Sequence, residues 1–167
     1  ISLLDVCTGS GCIAISLAKL GGYTDVTALD LSEEALKVAK SNGEKLLDHP
    51  VKFIKSDMFS ALDPENRYDV IVSNPPYIPS LEVVKLMPEV GSFEPLEALD
   101  GKEDGLYFYR EIIASCKEYL KPEGRILFEI GYDQGEAVRA MLLGAGFKEV
   151  RVIKDLAHND RVVTGML

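Results

Sequence analysis

Ser2-Leu-Leu-Asp-Val-Cys-Thr-Gly-Ser-Gly-Cys-Ile-Ala-Ile-Ser-Leu-Ala-Lys-Leu20 decides the fold. Ser2–Cys7 is a short apolar run of strand length, and Gly11–Leu20 is an amphipathic run of helix length. Gly9 and Gly11 lie between them and let the backbone turn tightly and approach a ligand closely. The same alternation continues outward. Asp25–Asp30 reads as a second strand. Ser32 can cap the next helix, with Glu33 and Glu34 in its first turn, where the helix dipole favours acids. That helix runs to about Leu47, before Pro50. Val51–Lys55 and Tyr68–Ser73 read as the third and fourth strands.

Ile78 to about Glu103 is rich in Pro, Glu and Gly and reads as a long irregular stretch. Asp104 is predicted to cap a helix reaching about Leu120, stopped by Pro122 and Gly124. Arg125–Ile130 is the fifth strand. Asp133 and Glu136 form a D-x-x-E capping pattern for a helix that ends near Gly144–Gly146. Phe147–Lys154 and Arg161–Leu167 are the last strands, joined by a short loop and therefore antiparallel. Strand–helix alternation predicts an α/β fold: a seven-stranded, mostly parallel sheet with an antiparallel last strand and helices on both faces. Residues 1–167 read as a single domain. The chain opens at Ile1, inside a strand and without Met, so further residues are expected upstream.

Composition narrows the function classes. The chain has 167 residues, 47% of them apolar, which suits one domain with a sizeable core. Its formal net charge is -9. An acidic surface repels phosphates, so no direct nucleic-acid partner is expected. Cys7, Cys12 and Cys116 form no CxxC, and His49 and His158 are far apart, so no metal site is expected. The cysteines read as small residues in a reducing cytoplasm. There is no signal peptide and no run of about 18 apolar residues, hence no membrane partner.

Ligands on such sheets sit at the carboxyl ends of the strands, near the topological switch point. Asp5–Gly11, Asp30, Asp57–Phe59 and Asn74–Tyr77 all fall there. Gly9-Ser-Gly-Cys-Ile-Ala14 satisfies a dinucleotide pattern, and Asp30 lies about 20 residues on, as that pattern asks. An NAD-dependent oxidoreductase is thus a competitor at this point. Asp5 separates the ligands, because a carboxylate beside the loop repels a pyrophosphate but suits the ammonium and sulfonium of S-adenosylmethionine. The alternative for Asp5 is that it only ties down loop amides. Asp30 can accept both ribose hydroxyls, or serve as a helix-start acid. Asp57 could accept from an adenine amino group, with Met58 and Phe59 as an apolar wall; the alternative is core packing and a solvated acid.

Asn74-Pro-Pro-Tyr77 is the most specific signal in the chain. Two prolines fix φ and remove two backbone donors. The Asn74 side-chain oxygen and the Pro75 carbonyl can both accept from one NH2 group, and Tyr77 offers a flat face to a planar group. An amide or aniline-type nitrogen is a poor nucleophile, so it needs orienting acceptors rather than a strong base. The competing reading is a rigid Pro-Pro turn that closes a strand.

Taken together, Asp5–Ala14, Asp30-Leu-Ser, Ser56-Asp-Met-Phe, Ser73-Asn-Pro-Pro-Tyr-Ile78, Phe93-Glu-Pro95, Asp100-Gly-Lys-Glu-Asp-Gly105, Glu129-Ile-Gly131, Gln134 and Asn159-Asp-Arg-Val162 resemble the HemK/PrmC family. These are the release-factor glutamine N5-methyltransferases of translation termination. Asn-Pro-Pro-Tyr alone also occurs in adenine-N6 methyltransferases that act on nucleic acid, and Phe93–Gly105 is what narrows the choice. The resemblance implies a Rossmann-like class I catalytic domain that uses S-adenosylmethionine and releases S-adenosylhomocysteine. It implies peptide chain release factors as partners, with the glutamine of their Gly-Gly-Gln loop as substrate. The expected cofactor site is Asp5, Cys7, Thr8, Gly9, Ser10, Gly11, Asp30, Asp57, Met58 and Asn74. Asn74, Pro75, Pro76 and Tyr77 are expected to bind the glutamine, with Asn74, Pro75 and Tyr77 catalytic. The family's helical N-terminal domain is missing. The resemblance puts Cys7 where many members have Gly, His158 where Gly is usual and Met58 where some members have Trp; little effect is expected from Cys7.

Overall fold

In the computed structural model, the backbone is described for residues 1–90 and 98–167 and the side chains for 1–85 and 98–167. Phe93-Glu-Pro95 lies outside the described residues. The elements are β1 (Ser2–Val6), α1 (Cys12–Gly21), β2 (Asp25–Asp30), α2 (Glu33–Leu46), β3 (Lys52–Lys55), β4 (Tyr68–Ser73), α3 (Ser80–Val90), α4 (Tyr107–Cys116), β5 (Leu120–Glu129), α5 (Gly135–Gly144), β6 (Lys148–Lys154) and β7 (Asp160–Met166). The strands form one seven-stranded sheet in the order β3-β2-β1-β4-β5-β7-β6. β1 to β5 pair in parallel, and β7 runs antiparallel between β5 and β6.

Every residue of β1 is buried, as a central strand covered on both faces should be. Its side chains alternate between two cores. Leu3 joins Val26, Ala28, Ala14 and Ala18 under α1. Leu4 and Val6 join Leu29, Ile71, Ile126 and Phe128 under α4 and α5. α2 starts as its sequence predicts: the Ser32 side chain accepts from Ala35 N at 3.2 Å.

Three expectations about the second half are corrected. The stretch from Ile78 to Glu103 is not irregular throughout, because α3 lies within it. Pro79 needs no N–H at a helix start, and its carbonyl accepts from both Glu82 N and Val83 N. Asp104 does not cap α4. Its carboxylate accepts from Leu106 N at 3.0 Å and grips Arg110 at 2.8 and 3.0 Å, so the helix begins only at Tyr107. It also ends early, at Cys116, before a 3-10 turn over Lys117–Tyr119. The Asp133/Glu136 pattern is unused: both are exposed, and the residue at the cap of α5 is Gln134, whose side chain turns inward.

Among the described residues no helix is long and apolar enough to cross a membrane. Nor do the described residues include a group of His, Cys, Asp or Glu placed to hold a metal ion.

Candidate functional site

The site is built where the sheet turns over. Val6, the last residue of β1, pairs with Leu29 of β2 on one side and Ser73 of β4 on the other. Asp30 pairs with Lys55, the last residue of β3. The carboxyl ends of all four strands therefore meet, with the switch point between β1 and β4. The expected site residues lie at those ends or in the turns just after them.

The loop after β1 is tied by its own acids. Thr8 N donates to Leu29 O at 2.8 Å and Gly11 N to Thr8 O at 3.0 Å. Gly9 N donates to Asp30 Oδ2 at 2.7 Å, and Ser32 N to Asp30 Oδ1 at 2.8 Å. Asp5 Oδ2 accepts from Thr8 Oγ1 at 2.6 Å and Ala14 N at 3.1 Å. Asn42 of α2 donates to Ser10 O at 3.0 Å. A dinucleotide pyrophosphate needs free amides at this turn. Here Thr8, Gly9, Gly11 and Ala14 have spent theirs, two of them on carboxylates. The charge and the occupied donors both disfavour a phosphate ligand.

The two glycines do different things. Gly11, at φ 82°, would place a Cβ 2.9 Å from Ile15 and 3.1 Å from Ala39, so it lets α1 and α2 close together. A Cβ at Gly9 would meet nothing within 4 Å, which leaves room above the loop.

The other strand ends bring in the remaining candidates. Ser56 is buried and fixes the turn after β3: its hydroxyl donates to Met58 O at 2.6 Å and accepts from Ala61 N at 3.0 Å. Asp57 is exposed and Met58 half-buried. Phe59 belongs to the core, stacked on Tyr119 at 5.0 Å, so it does not form a wall for a ligand. Ser73 is buried and donates from Oγ to Val6 O at 2.6 Å, which pins the end of β4 to the end of β1. Asn74 follows and is exposed; Pro75 is buried, and Pro76 and Tyr77 are half-buried. Gln134 closes the far side. Its Nε2 donates to Tyr77 O at 2.9 Å and Gly105 O at 3.2 Å, while Oε1 accepts from Gly131 N at 3.0 Å. A surface groove of about 300 Å³ between α2 and the start of β3 contains none of these residues.

The methyltransferase small domain model matches residues 1–88. The chain belongs to this family. It is also 44% identical over 161 residues to a release factor glutamine methyltransferase of Thermodesulfovibrio yellowstonii, covering 96% of this chain and 57% of that one. A second so named, from Fusobacterium nucleatum, is 44% identical over 164 residues, covering 97% of this chain and 46% of the relative. The chain thus spans about half the length of the curated relatives it matches. Among solved structures, a methyltransferase from Pyrococcus furiosus superposes with a TM-score of 0.74 at 19% identity, covering 99% of this chain and 74% of that one. That likeness shows the shared fold.

Within this methyltransferase domain, backbone conformation explains the unusual positions. Cys7 and His158, the two positions at which the resemblance led to an expectation of glycine, have φ of 62° and 66°. Met58 has φ 46°. A side chain in this left-handed region costs about 1–2 kcal/mol, so the Cys7 substitution is not neutral to the backbone. Burial, then Asp30, Asp5 and Asp57, pushes the Cys7 thiol up to about 12, which makes it unreactive at neutral pH. The same neighbours give the loop a negative field suited to a cationic ligand.

Ser56, Ser73 and Gln134 were not among the expected site residues. Ser56, Ser73 and Gln134 lie in the segments that carry the family resemblance, but their types alone signalled no role.

Asp5 is 1% exposed, and its Oδ1 has no hydrogen-bond partner among the described residues. Desolvation raises its carboxyl to about 7 against the opposing bonds from Thr8 and Ala14. The folded chain therefore holds a proton that the unfolded chain releases between pH 4 and 7. Stability from this group is highest below that window, falls as pH rises through it, and levels off above 7. The parent should lose about 3 kcal/mol through Asp5 between pH 5 and pH 8. Asp5→Asn should abolish that slope. Urea denaturation of both at the two pH values checks this; parallel pH dependences would show that Asp5 does not titrate in the window.

Proposed function

We propose that this chain is the catalytic domain of an S-adenosylmethionine-dependent methyltransferase that methylates N5 of the glutamine in the Gly-Gly-Gln loop of peptide chain release factors. The reading places it in the cytoplasm, as part of translation termination. One observation carries it: the Ser73–Val6 bond holds Asn74-Pro-Pro-Tyr77 beside an acidic, phosphate-averse glycine loop. The names of the relatives support the same substrate.

The orphaned Oδ1 of Asp5 is a test of fit. A buried, unpartnered carboxylate oxygen is costly, and a nearby cationic ligand offsets the cost. S-adenosylmethionine brings that positive charge and, when bound, an electrophilic methyl group. Asp30 keeps lone pairs beyond its bonds to Gly9 and Ser32, and these can accept from ribose hydroxyls. Asp57 is free to accept from the adenine amino group, and Met58 can line the ring. On the substrate side, Asn74 Oδ1 and the Pro75 carbonyl hold the two N–H bonds of one amide. Pro76 and Tyr77 bound the side chain. As positive charge grows on the nitrogen, both acceptors bind more tightly, which favours the transition state over the ground state. Orientation at roughly 3–3.5 Å supplies the rest.

Asp30→Ala should weaken S-adenosylmethionine binding by about tenfold, the loss of roughly one charge-assisted hydrogen bond. Calorimetry measures it, and unchanged affinity would reduce Asp30 to a tie between the glycine loop and α2. The decisive experiment is mass spectrometry of a release factor incubated with the protein and S-adenosylmethionine. A gain of one methyl on the Gly-Gly-Gln glutamine is expected. Methylation of adenine in nucleic acid instead would favour the rival reading, which the net charge of -9 opposes.

A further inference from the structure

We propose that Gln134 is a positioning residue for methyl transfer: its buried amide anchors the Tyr77 carbonyl and thereby sets where the Asn74 and Pro75 acceptors lie. The inference rests on reading Asn74-Pro-Pro-Tyr77 as the corner that holds the substrate amide.

Gln134 is the residue before α5, yet it does not cap the helix. A residue needed only to start a helix would be Ser, Thr, Asp or Asn with its side chain turned back. Gln134 is 7% exposed and points inward. Both of its N–H bonds are used, on Tyr77 O and Gly105 O, and its oxygen takes Gly131 N. Tyr109 Oη is also 3.4 Å from Oε1, but its one proton goes to Glu129 O at 2.9 Å, so that contact adds little. One side chain therefore joins three backbone segments: the turn after β4, the loop before α4 and the turn after β5.

The surroundings leave space for the amide. A Cβ at Gly105 would lie 2.8 Å from Gln134 Nε2, and one at Gly131 would lie 3.1 Å from Oε1. The main chain next to Tyr77 is held as well. Ile78 N donates to Leu99 O at 3.1 Å and Gly101 N to Ile78 O at 2.8 Å. The tetrapeptide is thus clamped before by Ser73 and after by Tyr77 O, while its prolines stiffen the middle. Without the Gln134 amide, the partly buried Tyr77 carbonyl loses this donor and shifts to find another. A shift of about 1 Å at such a site costs about a hundredfold in rate.

The test uses Gln134→Met, which keeps the bulk and removes the donors, and Gln134→Glu, which keeps the shape and turns a carboxylate on the two carbonyls. Two readouts are taken: hydrogen exchange at the Ile78 and Gly101 amides, and kcat and KM with a release factor. Both variants should exchange those amides at least about tenfold faster, with β1 and β4 amides unchanged, and kcat should fall about ten- to a hundredfold. KM for S-adenosylmethionine should stay within about threefold, since Gln134 touches none of its proposed ligands. Parental protection at Ile78 and Gly101 in both variants overturns the proposal, as does a kcat within twofold of the parent. Loss of protection throughout the sheet in both overturns it too, since Gln134 would then be a general core residue. A parent that binds S-adenosylmethionine but leaves glutamine unmethylated removes the substrate reading; local loosening at Ile78 and Gly101 still establishes the anchor.

Discussion

Asn74→Ala is expected to cut turnover by more than tenfold while leaving cofactor binding partly intact. On the proposed reading, Asn74 provides one of two acceptors for the substrate NH2, and the Pro75 carbonyl provides the other. Removing one leaves an N–H unpaired as charge develops, by analogy with an oxyanion-hole donor worth about 3 kcal/mol. The loss should appear mainly in kcat, because the interaction strengthens in the transition state. Asn74 is exposed and follows the last residue of β4, so the fold should tolerate the change. That separates chemistry from stability in a single variant. Steady-state kinetics and calorimetry with S-adenosylmethionine check both halves. Full turnover would remove Asn74 from the chemistry.

Gly105→Ala should damage both the fold and the reaction. Gly105 has φ 71°, and a Cβ there would fall on the Tyr77 carbonyl oxygen. The left-handed backbone alone costs an alanine about 1–2 kcal/mol. Overpacking against a clamped backbone adds about 1–3 kcal/mol. Together these give a loss of about 2–5 kcal/mol, and Tyr77 must also move, so turnover should drop at least tenfold. Gly22→Ala is the control. Its φ is 69°, but a Cβ there would meet nothing within 4 Å. It should lose only the backbone part, about 1–2 kcal/mol. Denaturant titration of the pair separates steric cost from conformational cost. Equal losses would mean that the close approach at Tyr77 is easily relieved.

The sheet was legible because its strands are short apolar runs punctuated by glycine, proline and acids. Tyr68–Ser73 and Asp25–Asp30 fall within the expected bounds. The candidate site was marked out in the sequence for a related reason: Asp30, Asp57 and Asn74 are polar residues just where apolar runs stop. What stayed hidden depends on partners distant in sequence. α3 hid among prolines because Pro79 starts a helix as readily as it breaks one. Asp104 looks like a cap, but Arg110 competes for its carboxylate. Asp133 and Glu136 match a capping pattern that α5 ignores, while Gln134 beside Asp133 turns inward to distant partners. Gln134 reaches Tyr77 across 57 residues and Gly105 across 29. No local pattern announces a glutamine whose three partners are all main-chain atoms. Cys7 and His158 are a middle case: the resemblance pointed to glycine at both positions, but the reason lies in their positive φ.

The order β5-β7-β6 governs how the domain assembles. β6 has a single neighbour, β7, and it precedes that neighbour in the chain. It cannot add to the growing sheet alone, however early a ribosome delivers it. β6 can join the sheet only together with β7 or after it. Until then the flank of β5 is an open edge able to recruit any stray extended segment. The hazard for this domain thus falls between synthesis of β5 and arrival of β7, which is when a chaperone has most to protect.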